Sequence, residues 1–273
     1  MAMPGTSVMA AAAAYAGIQV RGSLREMEAR LAPLKTSATT GQQRALDSAG
    51  AELLPRLLDE EGREDVARET LDLARRLMKR LREAPTGAPS ISDINDDRLI
   101  SHDEAAAVIL GLQDRETRDR AAEWMEGPEA DSALRLWRAL SRRCVAPYEE
   151  HAAAPLTLAG WVSWSTGDEP GARVALGLAL RADPDYTFAQ LLHEACNQGL
   201  DPETLRRCLR GERSARTGRR GHRPDRSTRP RTARPTATRR KKAPSGRARP
   251  ESSASRRRSG QAAPGRRASG GEG

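Results

Sequence analysis

The sequence predicts an all-α protein, built of helical hairpins with a repeat-like carboxy-terminal part and followed by a disordered basic tail. Three observations carry this. Apolar residues recur at helical spacing in segment after segment, and no stretch alternates as a strand would. A Gly-x-acid-Pro tetrapeptide occurs twice, 32 residues apart. Residues 213–273 contain no Val, Ile, Leu, Met, Cys, Phe, Tyr or Trp, so that segment has nothing to bury against the entropy of ordering its backbone.

Residues 1–20 form an Ala-rich amino-terminal segment. Its apolar run, Val8 to Val20, is too short for a membrane span. The first charge, Arg21, follows that run, whereas a secretory signal has its basic residues in front. The three cysteines (Cys144, Cys196, Cys208) form no CxxC pair, and an odd, sparse count fits a reducing compartment. The chain therefore reads as cytoplasmic, with no membrane span.

A helical block follows over 21–84. Ser23-Leu24-Arg25-Glu26 has the S-x-x-E form of a capping box, in which Ser accepts from the free N–H groups of the first turn and Glu reaches back. Within 64–82, Val66, Ala67, Leu71, Ala74, Leu77, Met78 and Leu81 make one apolar stripe. Acids open that segment and arginines close it, as the helix dipole favours. Pro and Gly in Ala84-Pro85-Thr86-Gly87-Ala88-Pro89-Ser90 mark a linker, set at 85–93.

The second helical block spans 94–212. Ser101-His102-Asp103-Glu104 repeats the capping-box form, and further helices are expected over 115–126, 130–144, 155–166, 170–182, 186–198 and 202–210. In Gly167-Asp168-Glu169-Pro170 and Gly199-Leu200-Asp201-Pro202, the Gly can end one helix and the Pro can occupy the first turn of the next. Each tetrapeptide reads as the tight corner of a helical hairpin.

The first of these hairpins resembles a tetratricopeptide repeat, a unit of about 34 residues. Gly160, Gly167, Ala172, Ala179 and Pro184 fall where that family keeps its small residues and closing proline, while Ser163 replaces a usual aromatic. Over about 45–210 the chain also resembles the carboxy-terminal part of a bacterial family known as domain of unknown function 4192. The residues that carry this are Leu99 to Ala106, Leu112 to Asp119, and Ala153 with Pro155-Leu156 through to Leu180-Arg181-Ala182-Asp183-Pro184. The resemblance implies a strand-rich half ahead of the helices, which this sequence lacks, and it supplies no activity.

Candidate chemistry is sparse. His193 and Cys196 have a possible metal-ligand spacing, but no further ligand pair accompanies them, so no metal and no cofactor is expected. Cys144 and Cys208 sit on apolar faces and read as small core residues. The His102-Asp103-Glu104 cluster has the residue types of acid/base chemistry, yet capping accounts for Glu104 without any. Trp161 and Trp164, three apart, can line a concave surface and anchor a protein partner, or fill the core between hairpins.

The tail carries the strongest partner signal. Residues 213–273 hold 20 Lys and Arg against three acids, a net +17, which leaves residues 1–212 with 26 bases and 34 acids, a net −8. A flexible polycation displaces the counterions condensed on nucleic acid, and a tail without aromatics binds the backbone without reading bases. Arg229, Arg231, Arg234, Arg239, Arg240, Lys241, Lys242, Arg256, Arg257 and Arg258 are the candidate contacts. The function expected is a non-catalytic helical module that binds a protein partner and, through its tail, nucleic acid. The alternatives are a truncated relative of an enzyme or enzyme subunit, and a structural module with an inert tail.

Overall fold

Thirteen consecutive residues, Ala153–Ser165, are buried on every side. Their sequence is apolar or small all round, the composition of a helix surrounded by others rather than lying at a surface. In the computed structural model of the chain, residues 23–33 and 38–221 are described, with backbone alone for 217–221.

Eleven α-helices and no strand occur among the described residues. They are α1 (Leu24–Ala29), α2 (Ala38–Leu57), α3 (Glu60–Glu83), α4 (Pro89–Leu99), α5 (His102–Gly111) and α6 (Arg115–Ala121). The remainder are α7 (Ala130–Arg142), α8 (Ala153–Ser165), α9 (Glu169–Ala182), α10 (Thr187–Asn197) and α11 (Glu203–Gly221). Short 3-10 turns at Gly127–Glu129 and Glu149–Ala152 precede α7 and α8. The all-α reading holds, and no described helix is long and apolar enough to cross a membrane.

Helix α8 is wrapped by α7, α9, α10 and the turn before it. Helices α2, α3 and α5 pack together beside it, and α3 also packs on α7. One apolar cluster runs through all of them, from Leu31 and Leu46 to Leu192 and Leu209. Trp124 and Trp137 stack within it, their ring centroids 5.9 Å apart and their planes within 4°.

Both capping boxes form. Ser23 and Ser101 each accept from the backbone N–H three residues on, while Glu26 and Glu104 accept from the N–H of the capping serine. The 64–82 stripe becomes α3, which is longer because Asp59 caps it and Glu60 and Glu61 fill its first turn. The stretch read as a linker over 85–93 is largely the start of α4, with Pro89 in the first turn where its missing N–H costs nothing.

Both Gly-x-acid-Pro corners are Schellman turns. Gly167 and Gly199 take φ +84° and +67°, values that favour a residue without Cβ. In the first, Asp168 N–H donates to Ser163 O at 2.8 Å and Gly167 N–H to Trp164 O at 3.1 Å. The second repeats this with Leu200 to Ala195 at 3.0 Å and Gly199 to Cys196 at 3.2 Å. The capping acid differs: Asp168 accepts from Gly171 N–H, whereas Asp201 accepts from Glu203 N–H. Between α8 and α9, a Cβ on Gly160 would lie 2.7 Å from Leu176 Cγ, so the small residue sets how closely the two helices approach.

Candidate binding cleft and the root of the basic tail

Helix α4 has little apolar surface to bury and is held by charge. Asp93, Asp96 and Asp97, at i, i+3 and i+4, share one face. Two of them meet arginines of α7, and Asp93 meets Arg30 of the turn after α1. Asp96 accepts two bonds from Arg135, at 3.0 and 2.5 Å. Asp97 takes Arg142 at 2.8 Å, and Asp93 takes Arg30 of the α1 turn at 2.7 and 3.1 Å. Arg142 also donates to the carbonyls of Arg30 and Asp93, tying α1, α4 and α7 together. Burial raises the pKa of Asp97, and the opposing pull of Arg142 does not fully offset it.

Arg143, next along the chain, donates to Ile100 O at 2.7 Å and Gln42 Oε1 at 3.1 Å. Its Nη1 lies 3.2 Å from His102 Nδ1, which is 3.0 Å from Gln42 Oε1. Glu104 is engaged elsewhere: Arg80 holds it by two bonds of 3.0 Å and lowers its pKa, against burial. His102 and Glu104 are thus engaged by separate structural partners, while Asp103 is exposed.

A cleft of about 1820 Å³ opens beside this network. Its walls come from α1 and the residues after it, α4, α7, α8 and the corner that opens α9. Four arginines and six acids line it, a net charge of −2. Arg30 and Arg142 face it already paired, and Arg173 pairs with Glu169 at 3.2 Å. Arg138, one turn before Arg142 on α7, makes no ion pair or side-chain hydrogen bond among the described residues. Burial pushes its pKa down to about 10, helped by the positive charge of Arg30.

A second charged feature lies where the basic tail begins. Helix α11, expected to end near 210, continues to Gly221 although Ala215 is its only apolar residue after Leu209. Ion pairs replace apolar burial. Arg206 and Arg210 both bond Glu126, at 2.6 and 2.9 Å, Arg213 bonds Glu129 at 3.0 Å, and Arg216 pairs with Glu123. The four arginines follow i, i+4, i+7, i+10 spacing and present one face to the three acids before α7. Arg206 and Arg210 lower the pKa of Glu126 despite the cost of burial.

Trp161 and Trp164 are core residues, 0 % and 4 % exposed, so neither presents a side chain to a partner. Trp161 donates to Ala122 O at 2.9 Å, and the two rings meet edge to face at 5.8 Å. Cys144 is fully buried and its thiol pKa is raised by that burial. Cys208, expected in the core, is exposed, because α11 turns the face carrying Leu209 inward. Cys196 is buried on the inner face of α10 while His193 sits outside near Asn197, and no metal-holding group of His, Cys, Asp or Glu occurs among the described residues. Arg229, Arg231, Arg234, Arg239, Arg240, Lys241, Lys242, Arg256, Arg257 and Arg258 lie outside the described residues, as does the Ala-rich segment.

Sequence reasoning missed the α4–α7 charge network and Arg138. The signal was present: acids three and four apart in a segment poor in apolar residues, and arginines at 135, 138 and 142 on a neighbouring helix.

Fold and site together define an all-helical domain with a charge-lined cleft and a basic extension. The chain belongs to the domain-of-unknown-function family DUF4192, whose model matches residues 1–203. That match begins well before residue 45, where the resemblance read from the sequence starts. No curated protein and no solved structure matches the chain.

Proposed function

We propose that the protein is a non-catalytic helical interaction module whose basic tail adds sequence-independent affinity for nucleic acid. The observation that carries this is the division of charge: a net +17 over residues 213–273 attached to a body of net −8. Such a tail gains affinity by releasing counterions from a phosphate backbone. Arg229 to Arg234, the run Arg239-Arg240-Lys241-Lys242, and Arg256-Arg257-Arg258 are the contacts assigned to it.

The body supports the non-catalytic part. His102, Glu104 and Cys144, the residue types suited to proton transfer or nucleophilic attack, are each occupied with a structural partner or sealed from solvent. Helices α8 to α10 act in this reading as a tetratricopeptide-like pair of hairpins that binds a protein partner. The close approach at Gly160 and the two Schellman corners support it. Three unpaired cysteines support a cytoplasmic setting.

The test is limited proteolysis of the full chain by an arginine-directed protease, with and without duplex DNA at low salt. The reading expects cleavage beyond residue 221 to slow with DNA while cleavage within the body is unchanged. Equal rates with and without DNA would remove the tail's role.

A further inference from the structure

Arg138 poses a problem that the helical body alone does not solve. A guanidinium partly withdrawn from water, as Arg138 is, is disfavoured when no carboxylate pairs with it. Its neighbours are committed elsewhere. Asp93 is held in a two-bond pair with Arg30, and the Asp168 carboxylate caps α9 by accepting from Gly171 N–H. Neither has to turn toward Arg138 for the fold to form. Arg30 and Arg142 add like charge, which Asp93 and Asp168 offset in part from a distance. The guanidinium stands on the wall of the cleft of about 1820 Å³, with its donors unspent among the described residues.

We propose that this cleft binds an organic carboxylate, with Arg138 taking the carboxylate group and the apolar wall taking the body of the ligand. A guanidinium presents two parallel N–H donors that match the two oxygens of a carboxylate. The wall's net charge of −2 opposes any anion, a phosphate dianion more strongly than a carboxylate monoanion, so the guanidinium of Arg138 favours the singly charged group. Met27, Ile94 and Leu134, none of them fully buried, line the same cleft and offer an apolar surface to the rest of the molecule. This site is independent of the tail and of its affinity for nucleic acid.

The experiment uses the full chain and three probes of one shape: 4-phenylbutyrate, its uncharged amide and 3-phenylpropyl phosphate, titrated by calorimetry into the wild type and Arg138→Gln. The wild type is expected to bind the carboxylate at least tenfold more tightly than the amide and more tightly than the phosphate. Arg138→Gln is expected to bind carboxylate and amide alike. It should also melt at a higher temperature than the ligand-free wild type, because a half-buried unpaired charge has been removed. That melting curve also verifies that the variant is folded. Equal carboxylate binding by wild type and variant, tightest binding of the phosphate, or no binding of any probe by the wild type at millimolar concentration would each overturn the proposal.

Discussion

The indole N–H of Trp161 donates to the backbone carbonyl of Ala122 at 2.9 Å, joining the central helix α8 to the end of α6 inside the core. Trp137 is buried equally deeply, but its N–H has no acceptor among the described residues. Replacing either by Phe removes a similar volume, so the difference between the two isolates the hydrogen bond. Trp161→Phe should cost about 1–2 kcal/mol more than Trp137→Phe in urea unfolding. Equal losses would show that the Ala122 carbonyl is satisfied in another way.

Two glycines on neighbouring helices should respond in opposite senses. At Gly160 an added Cβ would come within 2.7 Å of Leu176 Cγ, and Gly160→Ala should destabilise by about 1–3 kcal/mol through overpacking. At Gly177, in the middle of α9, a Cβ meets nothing within 4 Å. Gly177→Ala should stabilise by about 0.5–1 kcal/mol, since it restricts the unfolded chain and suits a helix. Thermal melting of the two variants reads both signs.

The contrast between α3 and α4 shows what the sequence discloses. Helix α3 announces itself because Val66, Leu71, Leu77 and Leu81 bury one stripe, and periodicity detects apolar stripes. Helix α4 buries Ser92, Asp93 and Asp96, which read as solvent-facing until the arginines that meet them are placed by the tertiary fold. The end of α11 escaped for the same reason, its inward face being arginine. Capping boxes and Gly-Pro corners were legible because their chemistry is local. Arg138 becomes a candidate site only when its neighbours are known to be paired with others.

Removing one member of the buried Asp96–Arg135 pair leaves the other without its counter-charge. Asp96→Ala should cost about 3–5 kcal/mol, and the double variant with Arg135→Ala should cost less than the sum of the two single changes. A double-mutant cycle by denaturant unfolding measures this coupling. Additive losses would mean that the pair is screened by water.

Acid should weaken the contact between α3 and α5. Arg80 lowers the folded pKa of Glu104 below its unfolded value of 4.5. A depressed carboxylate contributes stability that is fully present above the unfolded pKa and is lost as pH falls through the folded one. Glu104→Gln keeps the capping role, which Gln also fills, and removes the titration. The melting temperature of the wild type should fall more steeply than that of the variant as pH drops below 4.5. Parallel curves would show that the pair adds nothing, as exposed pairs often do.

The most direct test of the tail's role is a salt titration of duplex DNA binding by the full chain. The comparison protein carries Gln at Arg229, Arg231, Arg234, Arg239, Arg240, Lys241, Lys242, Arg256, Arg257 and Arg258. The wild type should bind at low salt, with log affinity falling linearly against log salt by about 0.9 for each phosphate neutralised. The substituted chain should bind much more weakly and with a shallower slope. Equal affinity and equal slope for the two would contradict the account and move any nucleic-acid contact onto the helical body.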